Sequence, residues 1–265
     1  MQIFVAFIVI VLLGALWLWW QTTTLTTRQV EINALSLPEA FDGFRIVHIS
    51  DLHNQRHGRE QSRLIARVRD AEPDIIVITG DMKNRNEAWN NTMDFIRAAV
   101  EIAPIYFVTG NHEEASVYRD EFLYDLQTAG VNILNNEYVR VERDGQTLPI
   151  FGIRDRDFRY MRPETWPTFE DEFSILLAHR PHYFRTYAER GFSLVFTGHA
   201  HGGQVRIPLI GGVFAPGQSF FPGLTRGPYH REDSIMIVSR GLGGRLPVPR
   251  VFNRPEVVVV TLKSA

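Results

Sequence analysis

The chain has 265 residues, no cysteine and a formal net charge of -2. Hydrophobic residues make up 45% and charged residues 22%, which excludes a disordered, collagenous or disulfide-scaffolded chain. Without a thiol, Cys-based zinc sites, iron–sulfur clusters and a cysteine nucleophile are impossible. Without a basic excess, no nucleic-acid partner is expected.

The first element is an uncharged apolar run over residues 3–20, in which only Gly14 is not strongly apolar. At about 1.5 Å per residue it just spans a hydrocarbon core of about 30 Å. Trp17, Trp19 and Trp20 close it, where an interfacial aromatic belt belongs. A cleaved signal peptide would show a positive n-region and a small-x-small site. No Lys or Arg precedes Arg28, and residues 21–27 hold no Ala-x-Ala. Residues 1–27 therefore read as an uncleaved membrane anchor with a polar spacer, and 28–265 as one large domain.

Residues 30–37 read as a first strand, and 44–50 as a buried strand ending in Asp51-Leu52-His53. Residues 61–71 have helical spacing, with Leu64, Ile65 and Val68 on one face. Residues 74–79 form the next strand, ending in Gly80-Asp81. A helix is predicted near 87–101, then a strand over 104–109 ending in Gly110-Asn111-His112. This alternation argues an α/β sheet with parallel crossovers. In the second half, strands over 138–141 and 148–153 flank a turn at Asp144-Gly145. Residues 173–178 read as a strand ending in His179, and 182–190 as a helix. Residues 193–197 read as a strand ending in Gly198-His199-Ala200-His201. Residues 202–228 are rich in Gly, Pro and Phe and read as a long loop, a kind that is usually functional. Strands over 235–239 and 257–262 close the chain.

Five strand ends thus carry Asp51, His53, Asp81, Asn111, His112, His179, His199 and His201. In open α/β sheets, ligands sit beyond the carboxyl ends of the strands. Carboxylate, imidazole and amide donors without sulfur suit divalent Mn, Fe, Zn or Co. Seven such ligands, with His112 left aside, are too many for one tetrahedral ion. Two metals roughly 3.5–4 Å apart, an arrangement that cleaves phosphate esters, are the natural reading. Any one of these histidines alone would more often be a core or surface group, and Asp51 or Asp81 a helix cap. The assembled set reverses that weighting. His48, His57, His182 and His230 keep the plainer reading, with His57 and His182 near enough in sequence to touch a substrate.

In the order D-x-H, G-D, G-N-H-[DE], H and G-H-x-H, these motifs resemble the calcineurin-like metallophosphoesterase superfamily. Gly202-Gly203-Gln204, Ser239-Arg240-Gly241-Leu242-Gly243 and Arg250 to Pro255-Glu256 extend the likeness to its membrane-anchored YkuE/YaeI-type phosphodiesterase branch. Two departures stand out. Ala200 replaces a common Thr, and Arg154-Asp155-Arg156-Asp157 lies where relatives often have paired acids. The resemblance implies a four-layer α/β/β/α sandwich behind the transmembrane helix. It implies Asp51, His53, Asp81 and His201 on a first metal, and Asp81, Asn111, His179 and His199 on a second, with manganese foremost. It makes His112 a catalytic acid or charge stabiliser and Glu113 a carboxylate that orients a neighbouring histidine.

Over residues 213–229, Phe214, Phe220, Phe221, Leu224 and Tyr229 read either as a packed cover on the sheet edge or as an apolar lip toward the membrane. Anchor and lip together point to a lipid-linked phosphate or nucleotide. The resemblance makes UDP-2,3-diacylglucosamine, in lipid A biosynthesis, the specific expectation. The domain would then face the cytoplasm from the inner membrane. The alternatives are the same chemistry on soluble nucleotides or phosphomonoesters outside the cytoplasm, and a non-catalytic scaffold, which would usually lack some ligands.

Overall fold

The computed structural model describes residues 1–157, 162–169, 172–244 and 248–265. Helix α1 (Gln2–Thr23) opens the chain. Its apolar side chains are exposed on all sides. With a mean hydropathy of 2.6 it is long and apolar enough to cross a membrane.

The first half forms β1 (Thr26–Ala34), β2 (Arg45–Ile49), α2 (Ser62–Asp70), β3 (Ile75–Ile78), α3 (Asn90–Ala99), β4 (Ile105–Phe107), α4 (Asn111–Glu114), α5 (Arg119–Thr128) and β5 (Asn132–Ile133). The second half forms β6 (Glu137–Arg143), β7 (Gln146–Gly152), β8 (Ile175–Leu177), α6 (Phe184–Glu189) and β9 (Leu194–Thr197). Two small ribbons follow, β10 (Arg206–Ile207) with β11 (Gly211–Gly212), and β12 (Phe214–Ala215) with β13 (Ser219–Phe220). The chain closes with β14 (Gly227–Arg231), β15 (Ser234–Val238) and β16 (Glu256–Ser264).

These strands build two six-stranded sheets, ordered β1-β16-β2-β3-β4-β5 and β14-β15-β9-β8-β7-β6. The β2, β3, β4 and β5 pairings are parallel, as are β7, β8, β9 and β15. The parallel pairings turn the carboxyl ends of β2, β3 and β4 to one edge of the first sheet, and those of β8 and β9 to one edge of the second.

Side chains alternate along the strands, and the alternation separates the layers. Ile46, Ile75, Val77, Val258 and Val260 meet Ile150, Ile175, Leu177, Leu194 and Phe196 between the sheets. Val47, Ile49, Ile76 and Ile78 point the other way, onto Leu64, Val68, Phe95, Ile96 and Phe122. On the far side, Leu176, Val195 and Met236 pack against Phe184, Tyr187 and Phe192. The result is the expected four-layer α/β/β/α sandwich. Runs with no polar break, such as Ile75 to Ile78, are explained by burial of both faces.

Three expectations shift. The polar spacer is shorter than expected, because α1 continues through Thr23 and β1 starts at Thr26. That strand begins early because Thr26 to Ala34 pair in register with Glu256 to Ser264. Helix α5 was not visible in the sequence, since only Phe122 and Leu126 on it are buried. The stretch 202–228 is not one loop, for it carries the two ribbons and the start of β14.

Candidate metal centre

The residues singled out at strand ends converge from both sheets. Asp51 and His53 follow β2, Asp81 follows β3, and Asn111 and His112 open α4 after β4. His179 follows β8, and His199 and His201 follow β9. Each strand is released into a tight turn. Asp51, His53, Asp81, His199 and His201 all have positive φ, between 47° and 64°. Left-handed backbone at a non-glycine residue costs on the order of 1 kcal/mol, and such residues concentrate at functional sites. Two glycines make the turns possible. Gly80 has a φ of +85° and lies against the Gly110 backbone where a Cβ would stand, and a Cβ on Gly198 would fall on Ser50 Oγ and Asp51 Oδ2.

The side chains form three overlapping groups able to hold a metal ion. They are Asp51, His53 and His201; Asp81, His179 and His199; and His53, Asp81 and His112. Asp81 Oδ2 lies 3.3 Å from His179 Nε2 and 3.9 Å from His53 Nε2, so one oxygen faces both sides. Asp51 Oδ1 is 3.4 Å from His201 Nε2. Asn111 Oδ1 is 3.2 Å from His179 Nε2.

The donor set fits a cation. His179 Nδ1 donates to the Thr79 carbonyl at 2.7 Å, and His53 Nδ1 donates to Asn84 Oδ1 at 3.0 Å. In the neutral rings these bonds leave Nε2 as a lone pair on both histidines. Those lone pairs face the ring nitrogens of two further histidines. His53 Nε2 is 3.2 Å from His201 Nε2, and His179 Nε2 is 3.0 Å from His199 Nδ1. His199 Nε2 and His112 Nδ1 are buried with no hydrogen-bond partner among the described residues. Converging acceptors in a buried site are satisfied by a proton or a metal ion.

The electrostatics agree. Burial opposes a charge on His179, but the Asp81 and Asp51 carboxylates outweigh it and push its pKa up to about 10. The same field favours a cation. Burial drives His53 down to about 4 and His201 down to about 3. Both are then neutral at pH 7, the form in which an imidazole can bind a metal ion. A cavity of about 120 Å³ opens over the cluster, lined by His53, Asp81, Asn111, His112, His199 and His201, together with Asn84, Arg85 and Pro216.

A frame of buried contacts holds the cluster. The His199 N–H donates to both Asp51 oxygens at 3.1 and 3.0 Å, and Ser50 Oγ donates to Asp51 Oδ2 at 2.6 Å. The His112 N–H donates to Asp81 Oδ1 at 2.7 Å. Asn253 Nδ2 donates to the His201 carbonyl at 2.7 Å. The fully buried Arg250 donates to the carbonyls of Gly243, Asn253 and Arg240.

A matching family model describes calcineurin-like phosphoesterases and covers residues 44–203. The chain belongs to the calcineurin-like phosphoesterase family. It is 31% identical over 248 residues to the uncharacterized metallophosphoesterase YkuE of Bacillus subtilis, covering 90% of this chain and 85% of that one. It is 28% identical to the phosphodiesterase YaeI of Escherichia coli, covering 83% and 82%. It is 29% identical to a zebrafish transmembrane protein with a metallophosphoesterase domain, covering 89% of this chain and 57% of that one. Among solved structures, Thermus thermophilus SoxB shares the fold with a TM-score of 0.50 at 13% identity, over 86% of this chain and 57% of that one. This phosphoesterase is a metal-dependent phosphoester hydrolase with a His/Asp cluster able to hold metal ions.

The phosphoesterase departs from the sequence reading at several residues. Glu113 does not orient a histidine. Its carboxylate accepts four backbone N–H groups, from Gly110, Asp81 and Met82 at 2.8 Å and from Lys83 at 3.3 Å. His57 is turned away from the cavity and bonds the Leu242 carbonyl at 3.2 Å. His182 lies 6.1 Å from the His199 ring, centroid to centroid. His48 is a core group whose Nε2 bonds Thr79 Oγ1 at 2.8 Å, while its Nδ1 is buried with no partner among the described residues. The unusual Arg154 and Asp155 pair internally, Arg154 with Glu114 and Asp155 with Arg180. Asn84 and Arg85 were not singled out from the sequence. Their only signal was their place three and four residues after Asp81.

Proposed function

We propose that Asp51, His53, Asp81 and His201 hold one divalent ion and that Asp81, Asn111, His179 and His199 hold a second, manganese foremost. The observation that carries this reading is the position of Asp81 Oδ2 between His179 and His53. Bound divalent ions supply Lewis acidity at a phosphoryl oxygen and lower the pKa of water. The chain's own groups do the rest. Asp51 and Asp81 supply the negative charge that retains the ions, while Thr79 and Asn84 fix the ring orientations of His179 and His53. His112 lines the open cavity and carries a ring nitrogen with no partner among the described residues. It donates a proton, or a hydrogen bond, to the leaving oxygen.

The substrate we favour is a lipid-linked phosphodiester or pyrophosphate, with UDP-2,3-diacylglucosamine as the specific case. Helix α1 then spans the inner membrane and the sandwich stands on its cytoplasmic face. Support comes from the fully apolar α1 and from exposed Phe214, Phe220 and Phe221 on the segment that also supplies Pro216 to the cavity. The test is hydrolysis of UDP-2,3-diacylglucosamine against simple nucleotides under identical metal and detergent conditions. Faster turnover of the nucleotides would reject the lipid substrate. A reporter fused at the C-terminus that signals outside the cytoplasm would reject the orientation.

A further inference from the structure

Phosphoester cleavage does not account for the surface that follows the last metal turn. Along β10 to β13, Leu209 is fully exposed, and Ile210, Phe220 and Phe221 are more than half exposed. Soluble surfaces rarely gather large apolar side chains in this way. Ile207, Leu209, Ile210 and Phe252 share a groove of about 500 Å³ with Arg206 and Arg226. Phe252 also meets α1, with its ring 5.1 Å from Trp17 and edge-on to it. Two residues on, the Arg254 guanidinium lies 4.5 Å over the Trp20 ring. Thr22 Oγ1 accepts the Arg250 N–H at 3.3 Å. The groove therefore opens beside the last turns of the apolar helix, where tryptophans belong at the head-group level.

The charge in the groove is also one-sided. Arg206 Nη1 donates to the Gly202 carbonyl at 2.7 Å and to Thr225 Oγ1 at 3.0 Å, which fixes the guanidinium at the groove wall. Burial, and after it the neighbouring Arg226 charge, lowers its pKa. The nearby acid Glu256 is already taken by Arg28 and Arg240. Among the described residues neither Arg206 nor Arg226 forms an ion pair, so the two like charges face the groove together.

We propose that the 206–226 segment and Phe252 form a second bilayer contact, with Leu209 and Ile210 entering the head-group layer and Arg206 and Arg226 binding the phosphate of an anionic phospholipid. This contact rests on the reading of α1 as a membrane span. Apolar side chains beside guanidinium groups are the chemistry that an anionic interface rewards. The same segment places Pro216 on the metal-site cavity. Seating it in the bilayer surface brings that cavity to the depth of lipid head groups.

The lack of native cysteine allows single-site labelling of the full-length chain. Leu12→Cys, Leu209→Cys and Tyr124→Cys, each carrying an environment-sensitive fluorophore, are reconstituted into phosphatidylcholine vesicles with or without phosphatidylglycerol. Spin-labelled lipids quench at either head-group or acyl-chain depth. The expected result is deep quenching at Leu12, shallow quenching at Leu209 that phosphatidylglycerol strengthens, and none at Tyr124, which is exposed on α5. Arg226→Gln, on an exposed side chain, is expected to cut the phosphatidylglycerol increment about twofold or more. Arg206→Gln added to it should cut the increment further. Quenching at Leu12 without quenching at Leu209 would overturn the second contact and leave the span intact. No quenching at Leu12 would overturn the span and the contact together. An increment unchanged by both arginine substitutions would overturn the phosphate-binding role.

Discussion

The Glu113 carboxylate accepts the N–H groups of Asp81 and Gly110, each at 2.8 Å, and so ties the turn after β3 to the turn after β4. Burial, then the Asp81 charge, pushes its pKa up to about 7, against the pull of those N–H donors. Glu113→Ala would leave buried donors unsatisfied, at about 1–3 kcal/mol each. A loss of stability on the order of 3 kcal/mol is expected, together with weakened metal retention. Glu113→Gln keeps one acceptor oxygen and should fall between. Thermal melts and metal analysis check both. An Ala variant that melts and holds metal like the parent would remove this tie from the account.

His112 joins the cluster through two separate contacts. Its N–H holds Asp81 Oδ1 at 2.7 Å, and its ring lies 4.6 Å from the His53 ring, edge to face. His112→Asn keeps the backbone bond and removes the imidazole. Turnover should fall about 10²–10⁴-fold with metal content unchanged. Loss of an ion from this variant would make His112 a ligand rather than a proton donor.

Close packing behind Asp51 gives a steric prediction. A Cβ on Gly198 would collide with Ser50 Oγ and Asp51 Oδ2. Gly198→Ala should displace the carboxylate and cost most of the activity while leaving both sheets folded. Measured kcat and far-ultraviolet circular dichroism separate these effects. Full activity would show that the turn relaxes freely.

The pH dependence of stability follows from two buried histidines outside the metal cluster. Burial lowers His48 to about 3 and His57 to about 4. The unfolded chain titrates them near 6.5, so between these values it binds more protons than the folded chain. Their stabilising contribution is therefore fully present above about pH 6.5 and is lost as pH falls toward 4. Each contributes a slope of at most about 1.4 kcal/mol per pH unit. Melts at pH 7 and pH 5 should show a falling Tm, with a shallower slope in His48→Gln. Equal slopes in parent and variant would contradict the assignment.

Much of the site was legible because ligand types stood at the ends of apolar runs with both faces buried. Asp51 after Ile46 to Ile49 and Asp81 after Ile75 to Ile78 are the clearest cases. Other features depend on contacts far apart in sequence. The polar stretch Thr26 to Gln29 becomes strand only because it pairs with Glu256 to Val259. Glu113 follows His112 in the motif, but nothing local shows its side chain turning back to four N–H groups. Asn84 sets the His53 tautomer through a turn whose path no periodicity encodes. The positive φ of Asp51, Asp81 and His201 is equally silent, since none is glycine.

Metal stoichiometry measured together with hydrolysis tests the two-metal site. The full-length chain, loaded with Mn²⁺ and desalted, is assayed by elemental analysis and with a chromogenic phosphodiester. The expected result is two ions per chain, loss of hydrolysis on chelation, recovery on adding Mn²⁺ back, and loss of bound metal and rate in Asp81→Ala and His201→Ala. Full activity in chelated, dialysed protein that holds no metal would contradict it.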